Sequence, residues 1–280
     1  MSYLVPTEFV TKMVDSGESK VHMATRDTLI RSFMAGAILA LAAVFAITVA
    51  VETGSFLLGS LLFPVGFCML YLMGFDLLTG VFMLTPLAWL DKRPGVTTNG
   101  ILRNWGLVFL GNFAGALVVA FIMAYVFTYG FNVEPGAVAE RIGNIGHERT
   151  VGYAEWGAAG WFTIFLRGVL CNWMVSMGVV GAMISTSVGG KVIAMWMPIM
   201  LFFYMGFEHS VVNMFLFPFG LIAGGDFSVM DYIVWNEIPT VLGNLVGGIA
   251  FTGLTLYTTH LRTGAKRNAV ATAATTRVAK

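Results

Sequence analysis

Two apolar runs in this chain are too long to cross a membrane as single helices, and each carries acid and glycine near its middle. The runs span about residues 55–90 and 190–223. Wound without a break, each would be a rod of roughly 50 Å, against a hydrocarbon layer of about 30 Å. The first is interrupted by Gly74-Phe75-Asp76-Leu77-Leu78-Thr79-Gly80 and the second by Gly206-Phe207-Glu208-His209-Ser210. A carboxylate in lipid is expensive, so both interruptions must face protein or a water-filled cavity. The arrangement that meets this condition is a pair of broken helices, each made of two half-helices joined by a non-helical link at membrane depth.

Four further runs, at about 32–50, 105–130, 159–186 and 238–259, have ordinary spanning lengths. With 57% hydrophobic and only 11% charged residues, and a mean hydropathy of +0.80, the composition fits a bilayer and not a soluble domain, where about a quarter of residues carry charge. A net charge of +1 leaves no basic surplus for nucleic acid. Cys68 and Cys171 lie inside apolar runs and read as buried thiols. Met1 to Val21 is polar and amphipathic, unlike a cleavable signal peptide. The expected fold is an all-α membrane protein of six transmembrane helices. Residues 1–31 form an N-terminal amphipathic segment, 32–260 one transmembrane domain, and 261–280 a C-terminal tail.

Charge sets the orientation. One side collects Lys12, Lys20, Arg26, Arg31, Lys92, Arg93, Arg103, Lys191 and the basic residues of the tail. The other has Arg141 and Arg149 among many acids. Positive-inside bias puts both termini in the cytoplasm.

The halves match at one offset. Gly74-Phe75-Asp76 recurs as Gly206-Phe207-Glu208, Asn104 as Asn236, Leu110-Gly111-Asn112 as Leu242-Gly243-Asn244, and Phe33 and Gly36 as Phe165 and Gly168, each 132 residues on. Repeat one covers about 32–130 and repeat two about 159–260. Three spans per repeat is an odd number, so the second copy must enter from the opposite face: an inverted repeat, with both broken links converging near the midplane.

The residues at that convergence define a candidate pathway. His209 is the histidine that falls within a span, and its ordinary pKa near 6.5 suits a proton partner or a donor to a passing ion. Thr79, Asn172, Ser210 and Asn213 read as neutral donors able to replace an anion's hydration shell. Asp76 and Glu208 read as structural, holding freed backbone amides and so the shape of the links, because an ionised carboxylate repels anions. Phe63, Phe67 and Phe202 precede the breaks by one to three turns and read as apolar gates or as ordinary packing. Nothing in the spans suggests a metal or an organic cofactor.

Gly206-Phe207-Glu208-His209-Ser210-Val211-Val212-Asn213-Met214-Phe215, the Gly74-x-Asp76-Leu77-x-Thr79 link, Leu170-Cys171-Asn172-Trp173 and the paired Gly-Asn dipeptides resemble the formate/nitrite transporter family from about residue 5 to 262. The resemblance implies an aquaporin-like protomer in a homopentamer, in a prokaryotic plasma (inner) membrane, with one pore per subunit. It implies small monovalent anions as substrates: formate, nitrite, hydrosulfide, or in some members acetate or lactate. By position, Phe63 and Phe202 correspond to constriction residues and Phe67 to a further gate. Leu77, Leu78 and Thr79 fall in the first broken link, and His209 is the central histidine with Thr79 and Asn172 as polar neighbours. Thr7 to Val21 corresponds to a cytoplasmic-side gating helix. One feature departs from the family: many members place a lysine shortly before the fourth span, and this chain has none between Lys92 and Lys191, only Glu148, Arg149, Glu155 and Trp156.

The expected function is pH-dependent transport of a small anion, with protons as co-substrate or regulator, and no enzymatic chemistry. An aquaporin-type channel would carry Asn-Pro-Ala twice, and this sequence never does. Ammonium channels use more spans and paired pore histidines. An intramembrane protease needs its Ser and His on separate helices, whereas Ser210 adjoins His209. Haem ligation from one intramembrane histidine is a weak reading.

Overall fold

The computed structural model describes residues 2–262, so most of the expected C-terminal tail (261–280) lies outside the described residues. Helices account for nearly everything else. In order they are α1 (Pro6–His22), α2 (Thr25–Thr53), α3 (Phe56–Leu72), α4 (Leu78–Leu90), α5 (Thr98–Phe127), α6 (Ala137–Glu148), α7 (Val151–Ala154), α8 (Gly157–Ile184), α9 (Val188–Tyr204), α10 (Ser210–Ile222) and α11 (Val229–Arg262). Among the described residues no strand forms; one isolated antiparallel bridge joins Tyr3 to Ser185.

Helices α2, α5, α8 and α11 are each long and apolar enough to cross a membrane. They run past the apolar stretches that announce them. α2 begins at Thr25 instead of near Ser32, with Asp27 in its first turn, where a carboxylate meets the positive end of the helix dipole. α11 is wound as a π-helix over Ile233–Glu237, Gly247–Leu254 and Tyr257–Arg262. The first of these has a local cause. Pro239 has no amide to give Trp235, and the Ile238 N–H bonds back to Ile233 O instead.

The two long apolar runs are both interrupted. α3 ends at Leu72 and α4 begins at Leu78; α9 ends at Tyr204 and α10 begins at Ser210. The start of α9 lies 132 residues beyond that of α3 (188 against 56), and the start of α10 the same distance beyond α4 (210 against 78). Both breaks use the same chemistry. Gly74 (φ +73°) and Gly206 (φ +62°) take the left-handed conformation that side chains resist. Each closes its helix with a Schellman pair: Gly74 N–H to Tyr71 O and Phe75 N–H to Leu70 O, then Gly206 N–H to Phe203 O and Phe207 N–H to Phe202 O, at 2.9–3.1 Å.

Beyond the breaks the backbone needs partners where water is excluded, and two asparagines supply them. Asn112 Oδ1 accepts from Leu78 N–H at 2.9 Å, and its Nδ2 donates to Asp76 O and Ser32 O at 2.9 and 2.7 Å. Asn244 Oδ1 accepts from Ser210 N–H at 3.0 Å, and its Nδ2 donates to Glu208 O and Gly168 O at 2.9 Å. This corrects the expectation that Asp76 and Glu208 bind the freed amides. Their side chains pair with cations and neutral amides of other residues, and the asparagines do the backbone work.

The sites also demand close helix contact. A side chain at Gly36 would strike the Asn112 backbone, and one at Gly243 would strike Phe165 O, so α2 meets α5, and α8 meets α11, nearly backbone to backbone. α1 lies against α4 with Phe9, Val10, Met13 and Val14 buried beneath it. Lys20 pairs with Asp76, and Arg93 reaches Asp15 at 2.7 Å and Glu18 at 3.5 Å. At the opposite end, α6 packs on α10. Cys68 and Cys171 are free and buried, as their apolar settings indicate.

Candidate anion pathway

The two half-helices α4 and α10 start within reach of one another, and His209 stands between them. His209 is the N-cap of α10. Its Nδ1 accepts from Val211 N–H at 3.2 Å and Val212 N–H at 3.3 Å. With Nδ1 occupied as an acceptor, the neutral ring carries its proton on Nε2. That nitrogen lies 3.4 Å from Thr79 Oγ1 in the first turn of α4. Both residues are buried. The structure therefore brings together Thr79 and His209, which lie 130 positions apart in sequence.

Asn172 joins them from α8, in a different role from the one expected. Its Nδ2 donates to Thr79 O at 3.1 Å and to Asn244 O at 2.6 Å, so both amide hydrogens are taken by carbonyls and none is left for an ion. Asn213 is likewise committed, donating to Glu208 Oε2 at 2.9 Å and Asn236 Oδ1 at 2.6 Å. Ser210 Oγ is buried with no partner among the described residues, so of these four expected donors only the Thr79 and Ser210 hydroxyls stay open.

The aromatic residues line up beside the histidine. The Phe202 ring lies 5.5 Å from the His209 ring and meets Phe63 edge-on at 5.7 Å; Phe63 also stacks on Phe203 at 3.9 Å. Phe67 sits one turn further along α3, against Tyr71 at 4.5 Å. Leu77 and Leu78 are buried at the start of α4. A small cavity of about 30 Å³ touches His209, Phe202, Phe207 and Arg149. A larger one, of about 200 Å³, opens on the α1 side and touches Lys20, Asp76, Leu77 and Lys191. Thr79 lines neither.

The carboxylates each hold a cationic partner. Asp76 takes Lys20. Glu208, fully buried, faces Arg149 Nε at 3.5 Å and Arg167 Nε at 3.9 Å, and accepts from Asn236 Nδ2 at 3.1 Å. Arg167 also donates through Nη2 to Gly206 O, clasping the second break. Sequence reading missed Arg167. Its signal was a charge inside the fourth apolar run, where an ionised side chain marks a functional or paired position by default. The Asn112 and Asn244 amides were visible only as repeat markers, because their task depends on where three backbone groups end up in space.

The sequence model described as "Formate/nitrite transporter" matches residues 7–258. The chain belongs to the formate/nitrite transporter family. A probable formate transporter of Methanothermobacter thermautotrophicus is 37% identical over 210 residues, covering 71% of this chain and 73% of that one. The formate channel FocA of Haemophilus influenzae is 31% identical over 278 residues, covering 90% and 93%. Among solved structures, an ion channel of the family superposes with a TM-score of 0.76 at 23% identity, over 90% of this chain and 98% of that one. A pentameric formate channel with formate bound gives 0.70 at 25% identity, over 85% and 98%. Like these family members, the chain is an integral membrane protein of the transport class and not an enzyme.

Proposed function

We propose that each chain forms a route for a small monovalent anion, formate or nitrite, passing between the starts of α4 and α10. The observation that carries this reading is the His209 Nε2–H facing Thr79 Oγ1 at the junction of two half-helix N-termini. Helix N-termini favour negative charge, and in a dry site their fields are little screened. A halide-sized or carboxylate-sized anion fits that chemistry; a cation does not. Kinship with a formate-bound pentameric channel supports both the substrate class and a homopentamer.

In this reading the chain has six spans in two inverted repeats, with α3/α4 and α9/α10 as the broken second and fifth, and both termini in the cytoplasm. An anion arriving from the far side meets Arg149 and Arg167, whose two charges exceed that of Glu208. It passes Phe202 and Phe63, which strip water, and accepts hydrogen bonds from His209 and Thr79. Phe67, Leu77 and Leu78 form the second apolar stretch before the α1-side cavity. Asp76, Glu208 and Asn213 hold the links in shape.

Carrying a bare anion past two apolar constrictions is expensive, and a proton taken up with it removes that cost. His209, its Nδ1 held by the Val211 and Val212 amides, keeps its proton and offers the Nε2–H as a hydrogen bond, while the travelling proton comes from water as the protonated acid form of the substrate. Flux therefore rises as pH falls. Labelled-formate uptake into proteoliposomes, measured across a pH series, tests the reading. Saturable uptake that steepens toward acid supports it, and absence of formate and nitrite flux overturns it.

A further inference from the structure

The α1-side cavity contains a group that neither the sequence pattern nor the central site accounts for. Tyr71, near the end of α3, turns its ring against Phe67 at 4.5 Å and its hydroxyl toward the first turn of α4. There the chain has Gly80. A methyl group at that position would collide with the Tyr71 hydroxyl oxygen, whereas the next nearest atom outside Tyr71, Val179 Cγ2, is 3.7 Å away. The absence of a side chain at 80 thus makes the seat for this phenol. The hydroxyl has no hydrogen-bond partner among the described residues, although its residue is only half-exposed and borders the cavity.

Its surroundings decide what it suits. Lys20 and Lys191 line the same cavity of about 200 Å³, against the single carboxylate of Asp76, which Lys20 already engages. Leu77, also in the lining, begins the apolar stretch that leads to Thr79. A partly desolvated anion here has two ammonium groups and one phenol to bond with, immediately before an apolar wall. A phenol O–H is a good donor to an anionic oxygen, and on a two-torsion side chain wedged between Phe67 and Gly80 it is already oriented.

We propose that the Tyr71 hydroxyl, seated over Gly80, is an anion-docking group at the α1-side mouth, where with Lys20 and Lys191 it loads formate or nitrite entering from that side. The assignment rests on the anion route proposed above and adds a second station to it, distinct from His209. Removing the hydroxyl weakens loading from the α1 side without affecting entry from the other.

The test uses the full chain in proteoliposomes of sorted orientation, with labelled formate applied from each side. Tyr71→Phe deletes one oxygen and keeps the packing, so the variant folds. It is expected to raise the half-saturating formate on the α1 side by about three- to ten-fold, with the opposite side unchanged. Gly80→Ala is expected to raise the same α1-side half-saturation by displacing the phenol, and adding Tyr71→Phe to it is expected to raise it no further. Equal half-saturation for wild type and Tyr71→Phe on the α1 side overturns the assignment alone. A wild-type protein that carries no formate overturns it together with the function on which it rests.

Discussion

Leu77 and His209 occupy the same structural position, the residue before the first turn of α4 and of α10, and of the two only His209 caps its helix with its own side chain. Around that pair the two breaks are alike: glycine closure on one side, an asparagine clamp on the other. The proposed route takes its polar groups from three adjacent differences within a doubled frame: His209 against Leu77, Ser210 against Leu78 and Thr79 against Val211. At the first of these, one half contributes an apolar leucine and the other an imidazole whose Nε2–H faces Thr79 Oγ1.

This separates two consequences of altering His209. Asparagine is among the best N-caps, so His209→Asn keeps the Val211 and Val212 amides satisfied but lacks the reach to Thr79. We expect its melting temperature in detergent to stay near wild type while formate flux falls at least about ten-fold, the scale of one lost charge-assisted hydrogen bond. His209→Ala loses flux and also about 1 kcal/mol of helix stability. A variant pair with unchanged flux and unchanged pH dependence refutes the donor role.

The asparagine clamps are structural. Asn244→Ala strips partners from Ser210 N–H, Glu208 O and Gly168 O in a dry interior, at about 1–3 kcal/mol for each buried group left unpaired. Thermal unfolding of the purified protein is expected to shift down strongly, and Asn112→Ala to do the same through Leu78 and Asp76. A shift confined to one of the two refutes their equivalence.

Arg149 and Arg167 are expected to part company. Arg149→Gln leaves Glu208 with Arg167 and lowers the positive charge beside the small cavity, so half-saturating formate on that side rises several-fold at low salt and the difference shrinks at high salt. Arg167→Leu leaves Glu208 with the nearer Arg149 but removes the clasp on Gly206 O, and its main effect is lost stability, of about 1.5–3 kcal/mol for one charge-assisted hydrogen bond. Flux at two ionic strengths, alongside unfolding curves, distinguishes the two.

Gly206→Ala tests the break itself. Holding alanine at a φ of +62° costs about 1–2 kcal/mol, and there is no helical alternative that keeps the Phe207-to-Phe202 bond. A measurable loss of thermal stability is expected from this variant and from Gly74→Ala. Wild-type stability in both shows that the glycines are not needed for the closure.

The breaks were legible because length, charge and glycine all failed the same condition, a continuous rod in lipid. The 132-residue offset was legible because Gly-Phe-acid and Gly-Asn recur as words. Side-chain assignments beyond that were not. Asn172 reads in sequence as a pore donor, yet its amide is spent on Thr79 O and Asn244 O, carbonyls contributed by helices remote in the chain. Asp76 reads as an amide partner, but α1, which precedes the first span altogether, delivers Lys20 to it. Pairings of this kind depend on which helix faces which, and periodicity in one segment carries no information about its neighbour. Tyr71 over Gly80 belongs to the same class: two residues that look like packing until their shared space is seen.

The Lys20–Asp76 pair ties α1 electrostatically to the first break. If α1 gates the proposed route, swinging it outward would widen the mouth but withdraw the ammonium that masks a buried carboxylate, whose second oxygen already has no partner among the described residues. A passage unblocked in that way presents bare negative charge to an incoming anion. It is broader, and yet repellent, until something else shields Asp76.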